Sequence, residues 1–288
     1  MLPGSSVAVV IPCYRQRSFL ARAIESALDQ SLPAAEIIVV DDGNEEDLSD
    51  FARLYPAITL LRQANRGLAG ARNAGLRAAR SDKIIFLDAD DRLCPNAIQA
   101  GLDSIKTNPG AAFVYGAYVE ERGAVRRELF MPAGGRRDLL RFNCVAMIGA
   151  AMFERAPLLE IGSFDESLGM CEDWDVFLRL SRSHPFAAHP NIVAHYILHE
   201  GNMSKDVRQL KRWMGVVRAK ERDRGLDEDE LEAWRQGGSA LHAIYPEATL
   251  QGFVARAFRK FIRLFGFEPY VPPGTVNRPL PPPPALPR

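Results

Sequence analysis

One stretch, Lys83–Asp91, limits most strongly what this chain can fold into. It reads K-I-I-F-L-D-A-D-D, so four consecutive apolar residues precede the acids Asp88, Asp90 and Asp91. An apolar run without alternation indicates a strand buried on both faces of a parallel sheet, and its carboxyl end opens at the edge where open α/β folds bind ligands. Crowded carboxylates there predict a site for Mg²⁺ or Mn²⁺, because these ions prefer oxygen ligands. The alternative is a solvated acidic turn before the helix that follows Pro95.

The first 110 residues alternate between strand and helix patterns. This alternation predicts right-handed βαβ units and a parallel sheet. The further strands are predicted at Val7–Ile11, Glu36–Val40 and Ile58–Leu61. The helices are predicted at Ser18–Gln30, Asp47–Leu54 and Asn65–Arg80.

The pattern changes after about residue 110. A β-hairpin is predicted around Arg122 and Gly123, from Ala112–Val119 and Val125–Phe130. Later strands are expected at Ala146–Phe153 and Ile192–Leu198, and later helices at Asp138–Phe142 and Asp173–Ser181. We therefore expect a first domain at residues 1–204.

The residues after 204 are expected to form a helical extension, 205–268, and a proline-rich tail, 269–288, that cannot pack a core. Lys205–His242 reads as helical and charged. In Gln251–Phe267 one helix face is rich in Phe and the other in Arg and Lys. Such a helix either packs on the fold or a second subunit, or lies in a membrane interface, which would make the protein a peripheral membrane protein.

Charge and cysteine content suggest the compartment and exclude one partner class. Lys and Arg together number 36, as do Asp and Glu, so nucleic acid is not an expected partner. The four cysteines are far apart and predict reduced thiols rather than disulfides or a zinc site. No apolar run approaches the ~20 residues of a membrane span, and no secretory leader is apparent. We expect a cytoplasmic protein, with contact to the inner face of the cell membrane left open.

A second acid pair, Asp41 and Asp42, ends another buried strand and precedes Gly43, which permits a tight turn. It should share the sheet edge with Asp88 and Asp90. A carboxylate at this edge can accept hydrogen bonds from a nucleoside base or ribose. The alternative is an ordinary Asp-Gly turn.

The segment from Gly67 to Gly75 reads G-L-A-G-A-R-N-A-G. It matches neither the G-x-G-x-x-G dinucleotide fingerprint nor a P-loop. Its small residues allow a helix start to approach a ligand closely, and the planar guanidinium of Arg72 suits a diphosphate. Alternatively, the helix simply packs through Ala and Gly, with Arg72 in solvent.

Two features beyond residue 170 complete the set of candidates. Glu172, Asp173 and Asp175 lie at the start of an amphipathic helix, where the helix dipole alone favours acids by ~0.3–1 kcal/mol. One of them could instead be a general base facing an acceptor hydroxyl. His199 could complete the shell of a carboxylate-bound metal, although a lone His is more often a packed or surface residue.

Taken together, these pieces resemble the inverting glycosyltransferases of family 2, which have the GT-A fold. The resemblance spans roughly Ser6–Ser204, in unbroken family order. The matching stretches are Val9–Arg15, Ile37–Gly43, Asn65–Leu76, Phe86–Asp91, Ile161–Leu168, Glu172–Leu180 and His199–Ser204. It implies an α/β protein with a Rossmann-like, mostly parallel sheet flanked by helices, followed by the C-terminal helical extension.

By this resemblance, the site residues take specific roles. Asp42 would contact the base, Asp88 the ribose or the water shell of the metal, and Asp90 the divalent cation. Asp173 would be the catalytic base, and His199 would assist the metal or the diphosphate. The nucleotide sugar is expected to contact Pro12, Tyr14, Asp41, Asp42, Gly67, Arg72 and Asp88, and the metal to contact Asp88, Asp90 and His199.

Two residues depart from the family pattern. Asn44 stands where Ser is common, which should change only the turn. Arg15 stands where Asn is usual after Tyr14, so nucleotide contacts near this position are open.

The implied activity is metal-dependent, inverting transfer of a sugar from a nucleotide-diphosphate donor to a glycan or lipid-linked acceptor, in cell-surface glycan or polysaccharide synthesis. A nucleotidyltransferase would need a glycine-rich, basic loop after the first strand, where this chain has Pro12-Cys13-Tyr14. A haloacid-dehalogenase-type phosphatase would carry its D-x-D on the first strand. A non-catalytic sugar-nucleotide-binding or scaffold protein is the remaining alternative.

Overall fold

The computed structural model describes residues 6–132 and 134–244. The strands are β1 (Val7–Cys13), β2 (Glu36–Asp41), β3 (Ile58–Arg62), β4 (Lys83–Phe86), β5 (Arg92–Leu93), β6 (Phe113–Arg122), β7 (Val125–Leu129), β8 (Ala151–Glu154) and β9 (Phe186–Ile197). The helices are α1 (Arg17–Leu28), α2 (Ser49–Leu54), α3 (Gly67–Ala78), α4 (Ala97–Thr107), α5 (Arg136–Arg141), α6 (Arg155–Glu160), α7 (Glu172–Ser183), α8 (Val207–Asp223) and α9 (Glu228–Ile244).

The described strands form one mixed sheet in the order β3-β2-β1-β4-β8-β6-β9-β5, with β7 paired to β6. The first four strands are parallel, and Val9 of β1 lies between Ile37 of β2 and Ile85 of β4. Strand β8 then runs antiparallel to both β4 and β6. The predicted parallel sheet is thus confirmed for the first half of the chain, and the second half adds antiparallel strands.

Both faces of the parallel strands are covered, which explains their unbroken apolar sequences. Val9 and Val10 are each fully buried, and they point to opposite faces. The Val9 side packs against α1, α2 and α4. The Val10 side packs against α3, α5, α7 and α8.

Two strand predictions needed correction, and one strand was not predicted. The expected strand Ala146–Phe153 is a strand only from Ala151, because Ile148–Ala150 forms a 3₁₀ turn. Strand β9 begins at Phe186 rather than at Ile192, since the chain continues in extended form through its proline, with irregular pairing to β6. The two-residue strand β5 is too short to produce a pattern and was missed.

The helices after residue 204 share the core of the preceding fold. Met214, Val217 and Ala233 are buried in the same cluster as β1 and α7. Within the described residues, the hydrophobic core continues across residue 204 without a break. The domain boundary at 204 stays a prediction that rests on the motifs. The basic helix 251–267 and the tail 269–288 lie outside the described residues. Among the helices that are described, none has the length and apolar character needed to cross a membrane.

Candidate active site

The parallel strands β1, β2 and β4 deliver their carboxyl ends to one edge of the sheet. Tyr14 follows β1, Asp42 follows β2, and Asp88 lies two residues beyond β4. The backbone N–H of Asp42 donates to the carbonyl of Cys13 at 3.0 Å, which ties the ends of β1 and β2 together. The expectation that both acid pairs share an edge is therefore confirmed by the strand order.

Hydrogen bonds of Asp41 and Asn44 join the carboxyl ends of β1 and β2. The Oδ1 atom of buried Asp41 accepts from the backbone N and from Nδ2 of Asn44, at 2.9 and 2.7 Å. Asn44 also donates to the Cys13 carbonyl at 2.8 Å and accepts from the backbone N–H of Arg15 at 2.6 Å. Arg15 has a left-handed φ of 57°. The two departures from the family pattern are thus bonded to each other, and Asn44 does more than shape its own turn.

Asp42 is nearly inaccessible, and its side chain is bonded to the residues just before α3. Its Oδ1 accepts from Nε2 of Gln63 at 2.7 Å and from the backbone N–H of Arg66 at 2.9 Å. Gly67 begins α3 with φ of 75°, and nothing lies within 4 Å of where its side chain would be. Tyr14 is 39% exposed, with the guanidinium of Arg15 5.1 Å from its ring centre. Of the predicted nucleotide residues, Tyr14 and Gly67 are exposed, whereas Pro12, Asp41 and Asp42 are buried.

The three acids after β4 each face a different partner. Asp88 Oδ1 accepts from Arg72 at 2.7 Å, Asp90 Oδ2 lies 2.8 Å from Nε2 of His199, and Asp91 Oδ1 accepts from the backbone N–H of Ile197 at 2.9 Å. Burial, and then the charge of Asp88, raises the pKa of Asp90. Burial and both neighbouring acids raise the pKa of Asp91 well above its usual range. The crowded carboxylates therefore disfavour each other's ionised form, and the side chain of Asp91 is bonded to the backbone of β9.

His199 is held from several sides. Its Nδ1 accepts from the backbone N–H of Gly201 at 3.1 Å, so in the neutral ring Nε2 carries the proton that is donated to Asp90. The ring of Phe19 stacks on the imidazole, with 4.6 Å between ring centres. Asn202 accepts from the backbone N–H of His199 at 2.6 Å. The histidine therefore lies where it was predicted, beside a proposed metal ligand.

Arg72 joins the acids of the sheet edge to those of α7. Only 2% of the residue is exposed, and its guanidinium donates to Asp88 at 2.7 Å and to Glu172 at 2.6 Å. Its Nε is buried without an acceptor among the described residues. The alternative in which Arg72 lies in solvent is therefore wrong. Its predicted contact with a diphosphate stays a prediction.

The three acids of α7 have different surroundings. Glu172 pairs with Arg72, and Asp175 is fully buried, with ion pairs to Arg179, Lys220 and Arg224 at 2.7, 3.3 and 3.2 Å. Asp173 alone is partly exposed and forms no ion pair among the described residues.

The environment of Asp173 suits a proton acceptor. Burial, and then the charge of Glu172, raises the pKa of Asp173 to about 7, although Arg72 acts in the opposite direction. Its Oδ1 accepts from the backbone N–H of Trp174 at 2.7 Å, and Nδ2 of Asn143 lies 3.4 Å from Oδ2. A base with a pKa near neutrality is well matched to proton transfer at neutral pH.

The family model for glycosyl transferase family 2 matches residues 8–160, about half of the chain. The chain belongs to this family. Chondroitin synthase of Escherichia coli is 29% identical over 69% of this chain and 30% of its own length. The uncharacterized glycosyltransferases EpsJ and YwdF of Bacillus subtilis (strain 168) are 38% and 31% identical, over 58% and 62% of this chain and 53% and 69% of their own lengths. The chain thus spans less than two thirds of chondroitin synthase and of EpsJ.

Solved structures show the same fold. S. aureus TarS 1–349 in complex with UDP-GlcNAc has a TM-score of 0.68 at 16% identity, over 90% of this chain and 81% of that chain. The mannosyltransferase PcManGT from Pyrobaculum calidifontis, in complex with GDP-Man and Mn²⁺, has a TM-score of 0.61 at 18% identity, over 90% and 80%. The predicted GT-A fold is confirmed by these similarities.

No group of three or more His, Cys, Asp or Glu side chains within residues 6–132 and 134–244 is preassembled to hold a metal ion. The donors at the edge nevertheless suit a divalent cation. Asp88 and Asp90 are oxygen ligands that repel each other, and a hard cation typically needs only one or two carboxylates when substrate phosphates supply the rest. The residues present therefore fit Mg²⁺ or Mn²⁺.

Sequence reasoning missed three contacts at this site. Asn143 approaches Asp173 from the loop after α5, Phe19 stacks on His199 from α1, and Asn202 closes the loop after β9. Asn202 lies within a motif that was noticed, so its polarity was a usable signal. Phe19 and Asn143 reach the site only through the fold, and no sequence spacing indicates them.

Proposed function

We propose that this family 2 chain is a metal-dependent, inverting glycosyltransferase that moves a sugar from a nucleotide-diphosphate donor to an acceptor hydroxyl. The observation that carries the proposal is the bridge through Arg72, which connects Asp88 at the sheet edge with Glu172 beside the base. Acids from two distant parts of the sequence thereby surround one site. The acids after β4 suit the binding of a donor diphosphate through a cation. The acids of α7 include a group that can accept the proton of the acceptor hydroxyl.

The donor would lie over the carboxyl ends of β1, β2 and β4. The nucleoside would lie between exposed Tyr14 and Gly67, where Asp42 has its Oδ2 atom without a partner in the described residues. A divalent cation held by Asp88 and Asp90 would offset the charge that develops on the departing nucleoside diphosphate. The contact with His199 orients Asp90 for this role. That TarS was solved with UDP-GlcNAc and PcManGT with GDP-Man and Mn²⁺ supports this donor class.

Asp173 would accept the proton of the acceptor hydroxyl as that oxygen attacks the anomeric carbon. Its partial exposure allows contact with a substrate, and its pKa of about 7 leaves a large fraction ionised at neutral pH. The neighbouring acids are not free to act as a nucleophile, because Glu172 is paired with Arg72 and Asp175 is fully buried. A single displacement without an enzyme nucleophile inverts the anomeric centre.

The similarity to chondroitin synthase supports a role in polysaccharide or cell-surface glycan synthesis. The acceptor would be a glycan or a lipid-linked saccharide, used at the cytoplasmic side of the membrane. Peripheral attachment through residues 251–267 belongs to the same proposal. Liposome flotation of the full chain and of a chain ending at Pro246 would test it, since only the full chain should float.

A panel of nucleotide sugars tests the proposed activity. With the full chain, one or a few donors should raise the thermal unfolding midpoint, more strongly with Mn²⁺ than without it, and the same donors should release nucleoside diphosphate. Binding without any release, even with mixed glycan acceptors present, would favour the scaffold alternative. If no nucleotide sugar raises the midpoint, the proposed function is wrong.

A further inference from the structure

The first half of α8 lies next to the candidate base. This helix begins shortly after the loop that carries His199, and its Trp213 packs on Gly169, four residues before Asp173. A Cβ atom at Gly169 would lie 2.9 Å from Cζ2 of the Trp213 ring, so the absence of a side chain allows this close packing. Four residues span at most ~14 Å, so one acceptor chain can reach both the base and the tryptophan.

The Lys and Arg side chains of α8 have partners in the fold in its second half, whereas two exposed arginines in its first half form no ion pair within the described residues. In the second half, Lys220 pairs with Asp165 and with Asp175, and Arg218 donates to the carbonyl of Leu140 at 3.0 Å. In the first half, Arg208 and Arg212 are exposed, one turn apart, and form no ion pair within the described residues.

The groups around Arg208 and Arg212 leave their charge uncompensated. Exposed Lys205 precedes the helix and adds to it. The nearest acid along the chain, Asp206, accepts from the backbone N–H of Gln209 at 3.0 Å as the N-cap of α8. In a chain with equal numbers of acidic and basic residues, this is a locally basic surface. Within the described residues, Arg208 and Arg212 form no ion pair that would neutralise this charge.

Trp213 adds a polar and an aromatic contact to this surface. Its ring is partly exposed, with the guanidinium of Arg212 5.4 Å from the ring centre. Its indole N–H finds no acceptor in the described part of the chain. By contrast, the indoles of Trp174 and Trp234 donate to backbone carbonyls at 2.9 and 3.0 Å. A flat ring suits the C–H face of a sugar, and the unused indole N–H can donate to one of the sugar hydroxyls.

We propose that Lys205, Arg208, Arg212 and Trp213 form an acceptor face, and that its ligand is a carboxylate-bearing glycan. This inference rests on the proposed glycosyltransferase function and names the class of its acceptor. Arginine pairs with carboxylates through two parallel hydrogen bonds, so exposed guanidiniums beside a saccharide-binding ring favour an acidic sugar chain. The acceptor would run from Asp173 past Gly169 to Trp213.

An anionic membrane is the less suitable occupant of this face. Interfacial helices insert large apolar side chains between the lipids. The exposed positions of α8 carry only Arg208, Gln209, Arg212, Gly215, Arg222 and Asp223. Met203 is the large apolar residue exposed nearby in the chain.

Binding of oligogalacturonate to the full chain tests the proposal, with its methyl ester as an uncharged probe of the same sugar. The acidic probe should bind, more weakly at higher salt, and the ester should bind much less. Replacing both arginines (R208Q/R212Q) should weaken binding of the acidic probe about tenfold, as two partly exposed ion pairs are lost. The matched control R22Q/R53Q removes two exposed arginines on α1 and α2, across the sheet from α8, and should bind like the parent chain.

Tryptophan fluorescence gives a second readout. The acidic probe should change the emission of the parent chain, and the change should disappear in W213F, which keeps an aromatic ring but lacks the indole. Equal affinity for oligogalacturonate and its methyl ester would overturn the proposal. An equal loss of oligogalacturonate affinity in R208Q/R212Q and R22Q/R53Q would also overturn it. So would binding to phosphatidylglycerol vesicles that depends on Arg208 and Arg212 when no oligogalacturonate binds. Thermal shift with nucleotide sugars reports separately on the proposed function.

Discussion

Asp173 illustrates how neighbouring charges tune one carboxyl group. Burial and the adjacent Glu172 favour its protonated form, whereas Arg72 favours the ionised form. The balance raises the pKa of Asp173 to about 7, so the group can change protonation state in the neutral range. An ordinary exposed aspartate, with a pKa near ~3.9, would be a much weaker base.

The pH dependence of turnover tests this balance. Because the base must be ionised, kcat/KM should rise with pH and level off above about 7. Glu172→Gln removes a negative charge and releases Arg72, and both effects favour the ionised form of Asp173. The midpoint of the pH profile should therefore shift to lower pH. Glu128→Gln, at an exposed position on β7, serves as the control and should leave the midpoint in place. An unchanged or higher midpoint in Glu172→Gln would contradict the assignment of Asp173.

At the residue scale, the sequence predicted the acid groups but not the role of each acid. Glu172, Asp173 and Asp175 are all carboxylic acids and lie within about one turn of the same helix. Only the fold shows that Asp175 is buried among Arg179 of α7 and two cations from one distant element, Lys220 of α8 and Arg224 at its C-terminal end. Long-range contacts of this kind have no periodic signature in the sequence.

At the scale of elements, α3 shows why small residues were needed. Gly75 lies directly over β1, and a Cβ atom there would be 2.2 Å from a methyl carbon of Val10. Close packing through small residues was one half of the alternative interpretation of this segment, and the structure shows that packing with Arg72 buried rather than in solvent. It holds the helix that carries Arg72 against the sheet. The packing of α3 thereby sets the position of the bridge to α7.

Two matched substitutions separate packing from helix propensity. Gly75→Ala should destabilise the fold by ~1–3 kcal/mol, because the overpacked contact with Val10 outweighs the gain in propensity. Gly215→Ala, on the exposed face of α8 with nothing within 4 Å, should stabilise it by ~0.5–1 kcal/mol. Urea unfolding curves measure both. Similar shifts in the two variants would show that the close contact of α3 with β1 is not a feature of the molecule in solution.

Strands and helices differed in how well the sequence predicted them. The sequences of β1, β2 and β4 are apolar on both faces of the strand, so their burial can be predicted without knowing which elements pack against them. Strand β9 contains a proline and pairs irregularly with β6, so the sequence pattern predicts a strand only from Ile192, whereas β9 begins at Phe186. Strand β5 exists because β9 lies beside it, a condition that no local pattern encodes.

At the scale of the whole molecule, the C-terminal helices complete the fold. Glu221 of α8 is fully buried and forms ion pairs with Arg136, Arg182 and Arg224. These partners connect α8 to α5 and α7. The motifs of the family end at residue 204, whereas the hydrophobic core continues into α8 and α9. The boundary at 204 therefore stays a prediction from motifs alone.

Truncation tests this integration. A chain ending at Ser204 should lose cooperative unfolding, since it lacks Met214 and Val217 from the core and leaves Asp175 without two of its cations. A chain ending at Ile244 should keep a single transition close to that of the full chain. Thermal unfolding followed by circular dichroism compares them. A cooperative transition of equal midpoint in the shorter chain would show that residues 205–244 are a separate appendage.

The central claim is that the two acid groups of the site have different tasks, one toward the donor and one toward the acceptor. It is tested most directly by nucleoside diphosphate release and donor affinity in Asp90→Asn and Asp173→Asn, measured with and without Mn²⁺. Asp90→Asn should weaken Mn²⁺-dependent donor binding and nearly abolish release. Asp173→Asn should bind the donor like the parent chain while kcat falls at least ~10²-fold. Undiminished Mn²⁺ dependence in the first variant, or unchanged release in the second, would contradict the account.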